Sequence, residues 1–145
     1  MKTLVLYDSN FGNTKRIAEE IAKNIGGDTE ATSVKTVASQ DIINLDLLIM
    51  GCPINGWRPT EATLLAIQLL NDKLKDGLKY TTFDTRVKLF IHGDAKEQLS
   101  RILMNAGGKL VFEPQAFYVS GKKGPLYDGE LEKVDSWTKL ILSKI

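Results

Sequence analysis

Tyr7-Asp8-Ser9-Asn10-Phe11-Gly12-Asn13-Thr14 lies between an apolar run, Thr3-Leu4-Val5-Leu6-Tyr7, and a segment from about Lys15 in which Ile17, Ala18, Ile21, Ala22 and Ile25 recur on one helical face. The run has the length and apolar density of a buried parallel strand. The stretch is therefore a strand-to-helix turn. A helix start leaves backbone N–H groups without partners and carries partial positive charge, so such a turn is a ready phosphate site. Ser9 and Thr14 add hydroxyls, Asn13 adds an amide, and Gly12 lets the backbone approach an anion closely. No basic side chain lies between Asp8 and Thr14. Recognition there would rest on dipoles and hydroxyls rather than ion pairs. The plainer reading is an ordinary helix capped by Asn13 or Ser9.

Outward from this turn, the chain alternates strands and helices. Gly26-Gly27 ends the first helix, Asp28 to Val34 reads as a half-polar edge strand, and Ala38 to Ile42 as a short helical turn. Leu45 to Met50 is a second strong strand, followed by a loop from Gly51 to Pro59 with two prolines, two glycines and a tryptophan. A helix from Thr60 places Ala62, Leu65, Ala66, Leu69 and Leu70 on one face. Lys73 to Thr85 reads as a polar connection to a strand at Val87-Lys88-Leu89-Phe90-Ile91. His92-Gly93-Asp94-Ala95 then leads into a helix with Leu99, Ile102, Leu103 and Ala106. A fifth strand begins at Leu110, is interrupted at Glu113-Pro114-Gln115, and continues or pairs at the edge through Ala116 to Val119. Ser120 to Gly129 is a basic loop. The last helix carries Leu131, Val134, Thr138, Ile141, Leu142 and Ile145 on one face.

Strand and helix repeated about five times predict an α/β fold, a parallel sheet covered on both sides by helices. Ligands of such sheets sit beyond the carboxyl ends of the strands, where the strand order reverses. The 145 residues fit one domain, 1–145, able to bury a core without staples. One cysteine, Cys52, leaves no internal disulfide or multi-cysteine metal cluster, and one histidine, His92, leaves no histidine-rich metal site or catalytic triad. No signal peptide or membrane span is legible, so a reducing, cytoplasmic setting is expected. With 19 basic and 18 acidic residues, nothing points to nucleic acid.

The turn Ser9-Asn10-Phe11-Gly12-Asn13-Thr14 resembles the phosphate loop of the flavodoxin family, Ser/Thr-x-Thr/Ser-Gly-x-Thr, with Phe11 in place of a hydroxyl residue. Gly51-Cys52-Pro53-Ile54-Asn55-Gly56-Trp57 is similar to that family's loop against the isoalloxazine ring, Gly-Cys/Ser-x-x-x-Gly. The resemblance implies a short-chain flavodoxin-like domain: a three-layer, doubly wound five-stranded parallel sheet in the order 2-1-3-4-5, with FMN as cofactor. By the same resemblance, Ser9 to Thr14 hold the phosphate, and Pro53, Ile54, Asn55, Gly56 and Trp57 meet the ring. The Asn55-Gly56 peptide is the one that turns over, and His92, Gly93 and Asp94 border the flavin edge. The plainer readings stay open: Trp57 as a surface or interface anchor, His92 as a satisfied structural residue, and Cys52 as an inert buried thiol. Ser120 to Gly129 is read as solvated, with the alternative that it folds toward the flavin and brings Tyr127.

Two roles follow from the resemblance: an electron carrier docking onto redox partner proteins, or a small oxidoreductase acting on its own quinone or porphyrinogen-type substrate. The near-neutral charge weakens the usual acidic docking face, and the carrier is only slightly preferred. A phosphate-accepting receiver domain would need an aspartate where Gly51-Cys52-Pro53 stands. A dinucleotide fold would need Gly-x-Gly-x-x-Gly in the first turn, and no Walker lysine is present.

Overall fold

Both faces of the first strand are apolar, and the fold follows from that. In a computed structural model describing residues 1–55, 57–88 and 93–145, with the Asn55 side chain also excluded, β1 (Lys2–Tyr7) is flanked by β2 (Asp28–Ser33) and β3 (Leu47–Asn55). Beyond β3 lies β5 (Lys79–Val87), and along β5 run two short strands, β6 (Lys109–Leu110) and β7 (Gln115–Val119). All these pairings are parallel. Only β4 (Arg58–Pro59) is antiparallel, folded back on β3. Taking β6 and β7 as one interrupted strand and setting β4 aside, the order is 2-1-3-4-5, as expected.

Successive strand residues point to opposite faces, and each face has its own core. Leu4, Leu6, Leu48, Met50, Cys52 and Tyr80 pack against α2 (Glu61–Leu70) and α3 (Ala95–Asn105). Val5, Tyr7, Leu47, Ile49, Phe83 and Phe117 pack against α1 (Asn13–Ile25) and α4 (Glu130–Leu142). Phe83, Phe117 and Trp137 meet edge to face, with centroids 5.8–6.2 Å apart.

The fourth strand departs from its sequence reading. The stretch read as a polar connection is β5, and its residues 80–86 are all buried. Its polar side chains are satisfied inside: the Thr81 hydroxyl donates to the Phe112 carbonyl at 2.9 Å, Thr82 to the Lys96 carbonyl at 2.7 Å, and Asp84 pairs with Arg86. Threonine's branched side chain suits a pleated surface, so composition alone concealed a central strand. The expected strand Val87 to Ile91 overlaps β5 only at Val87. Its last three residues lie outside the described ones.

Two smaller corrections concern phase and extent. The buried face of α2 is Thr63, Ala66, Ile67 and Leu70, whereas Leu65 and Leu69 are exposed. A helix so largely apolar carries no phase in its spacing; the cap sets it, since the Thr60 side chain accepts from the Thr63 N–H and both hydroxyls lie inside. The expected loop Gly51 to Pro59 is mostly a hairpin, because β3 runs on to Asn55 and pairs with β4 through Ile54–Pro59 and Asn55–Arg58.

Candidate functional site

Parallel βα units point their strand ends and helix starts the same way, so the turn after β1 and the hairpin after β3 emerge side by side. Tyr7 is in register with Gly51, and the Asp8 N–H donates to the Gly51 carbonyl at 3.1 Å. The Asp8 side chain is buried and accepts from the Thr60 hydroxyl at 2.5 Å, so the foot of the first turn is tied to the cap of α2.

In the turn itself, the Gly12 N–H donates to the Ser9 Oγ at 3.0 Å, which leaves the Ser9 hydroxyl hydrogen available. Gly12 has φ +93°, and a Cβ there would meet nothing within 4 Å. The backbone is therefore both left-handed and open. The first helical bond of α1 is from the Arg16 N–H to the Gly12 carbonyl, so the N–H groups of Asn13, Thr14 and Lys15 precede the intrahelical ladder. Ser9, Asn10, Phe11 and Gly12 are exposed or half-buried around this opening.

Two expected side-chain donors face elsewhere. Thr14 is buried, and its hydroxyl meets the Thr85 hydroxyl of β5 at 2.8 Å. The Asn13 amide donates to the Lys123 carbonyl at 3.1 Å. What the turn offers an anion is thus mainly backbone N–H groups, the helix dipole and the Ser9 hydroxyl.

Beside it stands the hairpin. Pro53 and Ile54 are half-buried at the end of β3, and Trp57 has φ +75° with its side chain outward, 57% exposed. Its backbone is held from below. The Gln98 amide of α3 donates to the Trp57 carbonyl at 2.9 Å, and a Cβ at Gly93 would fall 2.1–2.3 Å from the Trp57 backbone. Only glycine permits that contact, so the hairpin at Trp57 and the segment at Gly93 pack backbone to backbone. Gly56, the Asn55 side chain and His92 lie outside the described residues, and with them the expected peptide turnover and the histidine contact.

The Asp94 side chain is held by two cations. Its carboxylate accepts from the Arg86 guanidinium at 2.8 Å and from the Lys96 ammonium at 3.0 Å. Partial burial works against its charge, but these two cations together hold the carboxyl below its usual range. Arg86 also pairs with buried Asp84, which accepts the Lys96 backbone N–H at 3.0 Å. Burial opposes the Arg86 charge, yet the two carboxylates keep its pKa above the ordinary value. This network locks the end of β5 to the start of α3 beneath the hairpin. Cys52 is the inert thiol expected: burial pushes it up to about 12, against smaller opposing effects of the Thr60 backbone and the Thr63 hydroxyl.

Sequence reading preferred a solvated segment after β7, with folding toward the flavin as the alternative. Gly121 to Gly124 form a tight turn, closed by the Gly124 N–H on the Gly121 carbonyl at 2.9 Å, and the Ser120 N–H donates to the Pro125 carbonyl at 2.8 Å. Its tip lies on the first turn, where the Lys123 ammonium sits 5.9 Å from the centroid of the Phe11 ring. At its base the Lys88 ammonium lies 4.5 Å from the Tyr127 ring. The loop is therefore anchored rather than simply solvated. Its only signal in the sequence was the Gly-Lys-Lys-Gly-Pro turn, which says nothing of where the turn docks.

Among the described residues no helix is long and apolar enough to cross a membrane, and no group of three or more His, Cys, Asp or Glu could hold a metal. A family model described as a flavodoxin domain matches residues 4–110. Over 55 residues the chain is 40% identical to a flavodoxin of Clostridium beijerinckii, a match spanning 36% of this chain and 40% of that protein's length. Among solved structures, oxidised flavodoxin 1 from Bacillus cereus superposes with a TM-score of 0.84 at 18% identity, over 100% of this chain and 99% of that one. A flavodoxin of Streptococcus pneumonia TIGR4 gives 0.83 at 17% identity, over 100% of both. At such identities the structural likeness speaks for the fold, and the family model for kinship: this chain belongs to the flavodoxin domain family.

Proposed function

We propose that the chain binds FMN at the carboxyl end of its sheet and passes electrons to redox partner proteins. The observation that carries this reading is the open left-handed turn at Gly12, leading into α1, on the strand next to the one bearing the exposed Trp57 hairpin. The residues fit the group. Backbone N–H groups from Asn13 to Lys15 and the Ser9 hydroxyl suit a phosphate, with Asn10, Phe11 and Gly12 lining the opening. Trp57 offers a flat apolar face for the ring, with Pro53, Ile54 and Gly93 as its proposed neighbours; Asn55, Gly56 and His92 are assigned to the ring by the family resemblance alone. The Asp94 carboxylate is engaged by Arg86 and Lys96, and its backbone is the part proposed to border the ring.

When bound, the flavin supplies the redox chemistry; the protein supplies position, dielectric and access. The Trp57 backbone is fixed by Gln98 and Gly93 while its indole remains exposed, so the ring would be held by a rigid support near the surface. That geometry suits transfer to a docked protein. A substrate-specific oxidoreductase would call for an enclosing wall over the indole, and flavodoxin kinship favours the carrier.

The test is titration of the purified chain with FMN, riboflavin and FAD, read by flavin fluorescence. Quenching by FMN, with FMN bound more tightly than riboflavin, is the expected result. A chain that quenches none of the three overturns the proposal.

A further inference from the structure

We infer that Lys123 supplies the phosphate turn with a positive charge that its own sequence lacks, and so sets the preference for a phosphorylated flavin over an unphosphorylated one. The inference rests on the FMN reading above and concerns which residue confers the choice.

Between Asp8 and Thr14 the only ionisable side chain is a carboxyl, Asp8, and it is buried beneath the turn. Two of the three side-chain donors expected there are already bonded within the protein. A dianion at this opening would have dipoles for company but no counter-charge from the turn itself. The segment after β7 provides one. Lys123 follows Lys122 at the centre of the Gly121–Gly124 turn, which the Ser120–Pro125 bond and the Val119–Leu126 bridge hold as a narrow hairpin.

Three contacts fix its tip on the first turn. The Lys123 carbonyl accepts from the Asn13 amide at 3.1 Å. A Cβ at Gly124 would lie 2.5 Å from the Asn13 Oδ1, so the Asn13 side chain packs on the Gly124 backbone as closely as glycine allows. The Lys123 ammonium rests over the Phe11 ring, one residue before the open Gly12. A lysine whose backbone is held at the first helical residue, with its charge parked over the residue before the opening, can move onto an anion there by side-chain rotation alone. Phe11, which departs from the family's hydroxyl residue, acquires a role as the ring that keeps the ammonium near the site. Lys122 is exposed on the same turn without these contacts, and makes the natural control.

The experiment measures FMN and riboflavin dissociation constants by fluorescence quenching for the wild type, Lys123→Met and Lys122→Met, at low and high salt. Lys123→Met should weaken FMN about fivefold at low salt, the scale of one partly exposed ion pair, and leave riboflavin unchanged. The difference should shrink at high salt, where the wild type loses its advantage. Lys122→Met should change FMN by less than about twofold. An unaltered FMN constant in Lys123→Met, equal weakening of riboflavin, or an equal effect of Lys122→Met overturns the inference while leaving FMN binding intact. A wild type that binds neither flavin overturns the functional proposal itself, and this inference with it.

Discussion

Two polar stretches meet at the same end of the sheet and have opposite fates. Ser9 to Thr14 follows a strand and stays open: its helix start leaves N–H groups outside the ladder, and its glycine has no neighbour at the Cβ position. Thr81 to Arg86 is itself a strand and is closed, each hydroxyl or charge bonded to another part of the fold. The two touch at Thr14 and Thr85. Polarity in a sequence therefore does not mark a site; what marks it is polarity left unpaired once the chain has folded.

The sharpest break of that comparison is Asp84→Ala. It takes a carboxylate from a buried guanidinium and should destabilise the protein by about 3 kcal/mol in urea unfolding, whereas Ser9→Ala in the open turn should cost less than about 1 kcal/mol. Equal losses would mean that the closed stretch is not closed. Next is Gly93→Ala, whose added methyl meets the Trp57 backbone. It should cost about 1–3 kcal/mol and weaken FMN and riboflavin alike, because the ring support moves.

Gly12→Ala meets no atom, so its cost is left-handed strain alone, about 1–2 kcal/mol in the same unfolding assay. In fluorescence titration it should weaken FMN more than riboflavin, and an equal effect on both would detach the turn from the phosphate. The smallest effect is a pH dependence. Because Lys96 and Arg86 hold the Asp94 carboxyl below its usual range, its contribution is fully present above about pH 4 and is lost as pH falls through the folded value. Asp94→Asn should flatten that part of a stability profile measured between about pH 2 and 5.

Much of the fold was legible because its signals are local. The faces of α1 and α3 followed from their spacing, with Ile17, Ala18, Ile21, Leu99 and Leu103 all buried. The strand pair Leu4 to Tyr7 and Leu47 to Met50 followed from apolar density. In α4, the expected stripe included Leu142 and Ile145, both exposed, and omitted Trp137, which completes the aromatic cluster. A tryptophan's place depends on which rings surround it, and no helical period encodes that.

Read alone, the amino-acid order set the alternation of strands and helices and the turn at Ser9 to Thr14, because periodicity, glycine and helix-start chemistry act within a few residues. Folding settled which of that turn's donors remain free and which charge joins them. Thr14 is taken by a partner 71 positions away and Asn13 by one 110 positions away, and the same contact delivers Lys123. Hydrogen-bond capacity is consumed by whatever lies within about 3 Å, and distance along a chain says nothing of proximity across a sheet.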